Sequence, residues 1–168
     1  MLGNEIKKER IYLNINKEGK LVKTSKDGKK EYFSEVTGYF DKINLADRTY
    51  NGETVKVWYL TLSDNETKEE YILSFSYGSG VFKSIVMSLD SVGKTLRREP
   101  IKISPYVANG FTKAVVYHGE NKLSWSGTLP PVQKVTLNGG KEVIDDSDRM
   151  NYIKDLVQAL NISDLYDK

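Results

Sequence analysis

The chain has 168 residues, a formal net charge of +2 and no cysteine. A chain of this length can bury a hydrophobic core as one domain, and the absence of cysteine excludes disulfides and thiolate metal sites. No stretch of about 18 apolar residues is present, so we expect no membrane-spanning helix. The charged start of the chain lacks the apolar run of a signal peptide, and these features together favour a cytoplasmic protein.

Charge is distributed unevenly along the chain. Residues 1–30 carry nine Lys and Arg against four Asp and Glu, residues 31–138 carry twelve of each, and residues 139–168 carry four against seven. The total charge is too small to indicate a polyanionic partner by itself. We therefore interpret the basic start and the acidic end first as solvated surface.

The first predicted element is a small hairpin at residues 11–24. Ile11, Leu13 and Ile15 alternate with polar or amphipathic residues, and the sequence KEGK that follows supplies a turn. An isolated two-stranded hairpin is marginally stable, so this one is expected to pack on the main body.

Three strand-like runs follow, and the short turns between them predict an antiparallel meander. The runs are residues 31–46, 53–63 and 69–77. In the first run the apolar alternation slips by one residue between Phe40 and Ile43, which predicts a β-bulge. Gly38, in the middle of that run, predicts a bend or a close backbone contact. Residues 47–52 (DRTYNG) are predicted to form the turn to the second run.

A helix comes after the third run. Apolar residues recur at helical spacing from Val81 to Leu89, and Ser79 stands where an N-cap is expected. The sequence KTLRRE beyond the helix is predicted to be a charged loop.

Two more strands and a tail complete the pattern. The fourth strand starts at Pro100, and Pro105 is expected to limit it to an edge or a short pairing. The fifth, residues 113–126, is interrupted near His118. The tail predicts a hairpin around Asn138-Gly139-Gly140 and a final amphipathic helix at residues 147–161.

Three strands, a helix and two strands between residues 32 and 125 is the element order of the OB-fold, a five-stranded, partly open barrel. The predicted class is therefore all-β with minor α, as an OB-fold-like barrel. The predicted organisation has three parts: a basic N-terminal hairpin extension at 1–30, the barrel at 31–128, and a C-terminal hairpin and helix extension packed on the barrel at 129–168.

Residues that could carry catalysis or bind a metal are scarce. No catalytic motif is present, so neither an enzyme nor a cofactor is expected. The single histidine, His118, is interpreted as a surface residue and cannot build a Cys/His metal site. Asp145, Asp146 and Asp148 could bind Mg²⁺, but negative charge at a helix start explains them better. The turn Gly78-Ser79-Gly80 could hold a phosphate, and it describes a capped helix start equally well.

Aromatic residues interleaved with basic residues on the predicted strands are the stronger functional signal. Tyrosine can stack on a base while its hydroxyl stays in water, and single-strand binders combine such stacking with a positively charged groove. We expect Trp58 and Trp125 in the core, and Tyr39 and Tyr59 facing outward. The candidate nucleic-acid-binding residues are Tyr39, Tyr59, Tyr77, Lys42, Lys56, Arg97, Arg98, Lys113 and Lys122.

On these residues the chain resembles phage-type single-stranded-DNA-binding proteins with an OB-fold. The resemblance covers residues 31–126 and includes the long glycine-bearing first strand (EVTGYFDKINL) and the helix GVFKSIVMSL. It implies sequence-tolerant binding of single-stranded DNA in replication or recombination, in the cytoplasm of a phage's host, with replication or recombination proteins as further partners. Such proteins often end in an acidic tail, whereas the end NISDLYDK is short and closes with Lys168.

A second interpretation is a structural or interaction β-module of a phage particle or a surface assembly. It would use its aromatic residues to bind protein or glycan, and it would not bind nucleic acid. The strand pattern and the near-neutral charge fit this interpretation equally well.

Overall fold

The computed structural model describes residues 9–162. Its strands are β1 (Glu9–Ile15), β2 (Leu21–Thr24), β3 (Lys30–Phe33), β4 (Val36–Tyr50), β5 (Glu53–Ser63), β6 (Glu69–Ser76), β7 (Ile101–Ala108), β8 (Phe111–His118), β9 (Asn121–Lys122), β10 (Gln133–Thr136) and β11 (Glu142–Asp145). Its helices are α1 (Gly80–Asp90) and α2 (Ser147–Asn161), and a 3₁₀ helix (Gly93–Arg98) lies between α1 and β7.

Nine strands form one mixed sheet in the order β3-β2-β1-β6-β5-β4-β7-β8-β9. The β1–β6 pair is parallel and the other neighbours are antiparallel. The predicted N-terminal hairpin is confirmed as β1 and β2, and β1 joins it to the main sheet along β6. The predicted tail hairpin is also confirmed, because β10 and β11 form a separate two-stranded sheet.

The strands β4 and β5 form a long hairpin that reaches further than predicted. β4 continues to Tyr50 because Asn51 and Gly52 alone make the turn, with φ of 49° and 82°, as a two-residue type I′ turn requires. The predicted bulge is confirmed by a register shift between Phe40 and Lys42. Gly38 makes the predicted close contact, since a Cβ there would lie 3.0 Å from the Cβ of Leu62.

The β-rich class is confirmed, but no closed barrel forms within residues 9–162. β4 pairs with both β5 and β7, and β7 pairs with β8, so the sheet curves through the bent β4 strand. Closure would need β6 to pair with β8. Instead β1 occupies that edge of β6, and the outer edge of β8 pairs only with the short strand β9.

Helix α1 packs into the concave side of this sheet. Ser79 caps it as predicted, because its side chain accepts a hydrogen bond from the backbone N–H of Phe82 at 3.1 Å. Phe82 is fully buried and its ring stacks on Trp58, with ring centroids 4.8 Å apart. The predicted inward orientation of Trp58 is therefore confirmed, and the α1–sheet contact forms the centre of the core.

Helix α2 has the predicted bounds, and side chains at its end bind it to the β4 bulge. The Asn161 amide accepts from the backbone N–H of Ile43 and donates to its carbonyl oxygen, each at 2.8 Å. These two bonds complete backbone groups of β4 that the neighbouring strands leave unpaired. The helix is therefore docked on the sheet by hydrogen bonds as well as by its buried apolar face.

Two local expectations were wrong for physical reasons. The segment predicted as a charged loop is the 3₁₀ helix, which buries Leu96. The expectation for Pro105 agrees with the β4 side of β7, where the pairing covers three residues and ends before Pro105, while β7 continues past Pro105 by pairing with β8. His118 is 8% exposed rather than a surface residue, because the 3₁₀ helix covers it, with the carbonyls of Thr95 and Leu96 3.2 Å from its Nε2.

Within residues 9–162, no helix has the length and apolar character needed to cross a membrane.

Candidate nucleic-acid interface

The outward side of β1, β6, β5 and β4 carries a group of aromatic residues. Ile72 of β6 stands opposite both Tyr12 of β1 and Thr61 of β5, so these three side chains share this side. Tyr59 is two residues from Thr61 and therefore points to the same side. Tyr12 is 56% exposed and Tyr50, further along β4 on the same side, is 58% exposed. We call the surface formed by Tyr12, Arg48, Tyr50 and Tyr59 the tyrosine face.

Arg48 is the cation at the centre of the tyrosine face. Its Nε donates a hydrogen bond to the Tyr59 hydroxyl at 2.7 Å, and its guanidinium carbon lies 5.1 Å from the centroid of that ring. The hydrogen bond to Tyr59 raises the pKa of Arg48, and the ionisable Tyr50 and Tyr12 nearby act in the same direction. An arginine is always charged in a protein, and the hydrogen bond holds this guanidinium beside the rings, where it can accompany a stacked base with a phosphate contact.

Two further candidates, Tyr39 and Lys42, lie near the other end of this side. Tyr39 stands opposite Ser63 and is half-buried, whereas Lys42 stands opposite Thr61 and is exposed. The predicted outward orientation of Tyr39 and Tyr59 agrees with the strand register. Thr61 is 2% exposed although it faces outward. The longer side chains around it therefore cover it on this side of the sheet.

Tyr77 and Lys56 form a separate cluster at the end of the sheet, on the side of the core. The Tyr77 ring stacks on Trp58, whose Nε1 donates to the Tyr77 carbonyl at 3.1 Å. The Nζ atoms of Lys56 and Lys154 lie 5.7 and 5.3 Å from the Tyr77 ring centroid. Tyr77 is thus partly structural, and it brings two cations together at the border of the tyrosine face.

A groove leads from the tyrosine face around the end of β6. It consists of three cavities of about 600, 260 and 460 Å³. The first includes Tyr50, Lys56 and Tyr77 and shares residues 74–76 with the second. The second includes Lys17 and shares Val81 and Thr112 with the third. We call these three cavities the groove; residues at the ends of β1, β4, β6 and β8 are among those that line it.

The third cavity, between α1 and β8, contains two of the predicted lysines, Lys113 and Lys122. It also contains Trp125, which is 51% exposed. The prediction that Trp125 lies in the core was wrong, because the chain leaves the sheet after β9 and carries this residue along the surface of α1. Phe111, at the β7–β8 turn, is 70% exposed at the same cavity.

No protein-family description, curated protein or solved structure gives a significant match to this chain.

Arg97 and Arg98 lie in the 3₁₀ helix, away from the residues that line the groove. The Arg97 guanidinium donates to the backbone carbonyls of Asp41 and Asn161, both at 2.9 Å, and lies 4.9 Å from the Phe40 ring centroid. Arg97 therefore holds α2 against β4, and it is not part of the candidate interface. Arg98 is exposed, but the structure does not bring it to the tyrosine face or the groove.

Asp145 bonds to Ser147 at the start of α2. The Ser147 hydroxyl donates to Asp145 Oδ1, and the Ser147 backbone N–H donates to the same oxygen at 2.9 Å; these bonds lower the pKa of Asp145. Among residues 9–162, no group of three or more His, Asp or Glu side chains is arranged to hold a metal ion. Asp148 lies in the first turn of α2, where its negative charge complements the helix dipole, as the helix-start interpretation expects.

Sequence reasoning missed Tyr12, Arg48, Tyr50 and Phe111. A signal for Tyr12 was present, because it alternates with Ile11 and Leu13, which are the inward residues of β1. Arg48 and Tyr50 were hidden because they were assigned to a turn, where alternation carries no information. Only the observed length of β4 shows that they face the same way as Tyr59.

Proposed function

We propose that this protein binds single-stranded DNA without preference for base sequence, and that the tyrosine face is its primary contact surface. One observation carries the proposal: Arg48 is bonded to Tyr59 and lies among Tyr12 and Tyr50, all on the outward side of one sheet. Exposed aromatic rings and a fixed cation on a single surface are what sequence-tolerant single-strand binders require.

The proposed mechanism has two steps. Lys and Arg side chains attract the phosphate backbone and release condensed counterions. Bases then stack on exposed tyrosine rings, each contributing about 1–3 kcal/mol, and since every base has a π-face the stacking tolerates any sequence. The groove extends the surface beyond Tyr50 with Lys17, Lys113 and Lys122.

We also propose that the sheet is an opened relative of the OB-fold. In support, the meander β4–β5–β6 is followed by α1 and by the β7–β8 pair, and β7 returns to the first strand of the meander. This is the Greek-key path of that fold. The occupation of the β6 edge by β1 is then an addition that replaces the closing pair. The wider role we propose is cover of transient single strands in cytoplasmic replication or recombination, for a phage genome.

Fluorescence anisotropy with labelled oligo-dT, a mixed-sequence single strand and a duplex of the same length tests the proposed function. We expect both single strands to bind with similar affinity, and the duplex much more weakly because its bases are not available for stacking. Equal binding of the duplex would contradict the stacking mechanism. Absence of all binding, together with self-association or glycan binding, would favour the interaction module.

A further inference from the structure

We propose that the third cavity of the groove, between α1 and β8, is a second stacking site for the same DNA strand, with Trp125 as its platform. This inference rests on the proposed function and deepens it. It adds a site separated from the tyrosine face by the middle of the groove. It also names a residue that the sequence pattern placed in the core.

Trp125 is both exposed and fixed. Its Nε1 donates a hydrogen bond to the Ser84 Oγ of α1 at 3.0 Å. The next residue, Ser126, donates its backbone N–H to the Met87 carbonyl of the same helix at 3.1 Å. The indole is thus held against α1 while half of its surface stays in solvent. A rigid exposed aromatic ring loses little conformational entropy when a ligand stacks on it.

The charged residues that line this cavity are all cations. The residues around this cavity include Lys113 and Lys122, and no Asp or Glu is among them. Both lysines are exposed on strands β8 and β9. Lysines beside an aromatic platform, in a cavity whose lining has no carboxylate, are complementary to a phosphate backbone whose bases are unpaired. An apolar peptide would not use these charges, so the charge pattern favours a nucleic acid.

This cavity lies next to the other cavities of the groove, which begin at the tyrosine face. Val81 and Thr112 belong to this cavity and to the middle one, and residues 74–76 join the middle cavity to the one that contains Tyr50. Lys17 stands in the middle cavity. The three cavities are therefore neighbours on the surface, and a single strand that passes from Tyr50 to Trp125 would meet a lysine in each cavity.

Tryptophan fluorescence tests this site directly, because the chain has only two tryptophans and Trp58 is 2% exposed. We expect oligo-dT to quench the fluorescence of the wild-type protein, and the Trp125→Phe variant to lose that quenching while binding within about twofold of wild type, since the ring is kept. Trp125→Ala should weaken a long oligo-dT by at least about fivefold. It should leave a short one, which covers only the tyrosine face, unchanged.

The outcomes separate the inference from the proposed function. If the wild type does not change oligo-dT anisotropy, the proposed function fails and the second site fails with it. If the wild type binds but tryptophan emission is unchanged and Trp125→Ala binds long oligo-dT normally, only the second site is overturned. Self-association of the wild type that Trp125→Ala abolishes, seen by sedimentation, would also overturn it in favour of a second copy as the occupant. If Trp125→Ala does not fold, the quenching measured in the wild type and in Trp125→Phe still shows whether oligo-dT contacts Trp125.

Discussion

At the scale of single residues, Tyr59 is the side chain on which the proposed function depends most. It is half-buried in the sheet but presents its ring and hydroxyl outward, where Arg48 binds it. Tyr59→Ala should lower the affinity for oligo-dT by about 5- to 150-fold, the value of one lost base stack. Anisotropy titration measures this loss.

The matched control is Tyr59→Phe, which keeps the ring and removes the hydroxyl. If stacking is the source of affinity, this variant should bind within about threefold of wild type, because the lost hydrogen bond is a solvent-exposed one. Equal loss in the Ala and Phe variants would show that the hydroxyl–Arg48 bond, and not stacking, carries binding.

Arg97 leads to the opposite prediction, because its charge serves the fold. Arg97→Met removes donors from the Asp41 carbonyl in β4 and from the Asn161 carbonyl at the end of α2. We expect a loss of about 2 kcal/mol in the free energy of unfolding, measured with urea, and unchanged affinity for oligo-dT in the folded variant. Lys94→Met, an exposed position in the same 3₁₀ helix, is the control and should cost little. A folded Arg97→Met protein with much weaker DNA binding would restore Arg97 to the interface.

The sequence supported some of these residue assignments and not others. Period-two alternation correctly oriented Trp58 inward and Tyr59 outward, because both lie well inside a regular strand. Alternation failed for Trp125, and the turn-like surroundings of His118 wrongly indicated a surface residue; both residues stand where strands end. At such positions exposure depends on what packs from elsewhere in the chain, here α1 and the 3₁₀ helix, and a local pattern carries no information about that.

At the scale of elements, the β1–β2 turn closes one side of the groove by lying against β7. Gly19 has φ +73°, and a Cβ on it would be 2.8 Å from the Tyr106 carbonyl carbon. Gly28, in the β2–β3 turn, has a similar φ of +84° but nothing within 4 Å of such a Cβ. The two glycines therefore share backbone strain and differ only in the close contact.

This pair gives a matched prediction. Gly28→Ala should reduce the free energy of unfolding by about 1–2 kcal/mol through the left-handed backbone alone. Gly19→Ala should cost about 1–3 kcal/mol more, because the turn must move away from β7. Urea denaturation of both variants measures the difference. Equal costs would mean that the turn is not packed on β7 in solution.

The longer strands and both α-helices were predictable from the sequence, whereas the 3₁₀ helix, the separate strand β3 and the end of β4 were not. The bulge, the Ser79 cap and the limits of α2 followed from alternation, capping and helical spacing, which are local. The extension of β4 to Tyr50 did not, because Asp47, Arg48 and Thr49 read as turn residues and are held in strand form by pairing with β5. That extension adds half of the tyrosine face.

At the scale of the whole molecule, the order of elements predicted a partly open, OB-fold-like barrel, and the structure has an open curved sheet in which the barrel does not close. The reason is the competition for one edge: β1 pairs in parallel with β6 along six residues, and a sequence shows neither partner choice nor strand direction for so short a run. The opened seam beside β8 is also where the groove passes. The addition that prevents closure therefore shapes the candidate site.

The spread of cations along this surface gives a prediction for the complete protein. Arg48 on the tyrosine face and Lys17, Lys56, Lys113 and Lys122 along the groove make five positions for phosphate contact. If all five are used, the logarithm of the binding constant should fall against the logarithm of salt concentration with a slope of about −3.5. Arg48→Gln should reduce that slope by about 0.7. Lys26→Gln, in the β2–β3 turn at the opposite end of the sheet, should leave it unchanged.

The measurement that tests the central claim most directly is a titration of fluorescent oligo-dT with the wild-type protein at a series of salt concentrations. The proposed electrostatic attraction followed by stacking predicts saturable binding that weakens steeply as salt rises, with residual affinity at high salt from the stacked rings. No binding at low salt would contradict single-stranded DNA as the ligand. Binding that does not respond to salt would contradict the role of Arg48 and the groove lysines.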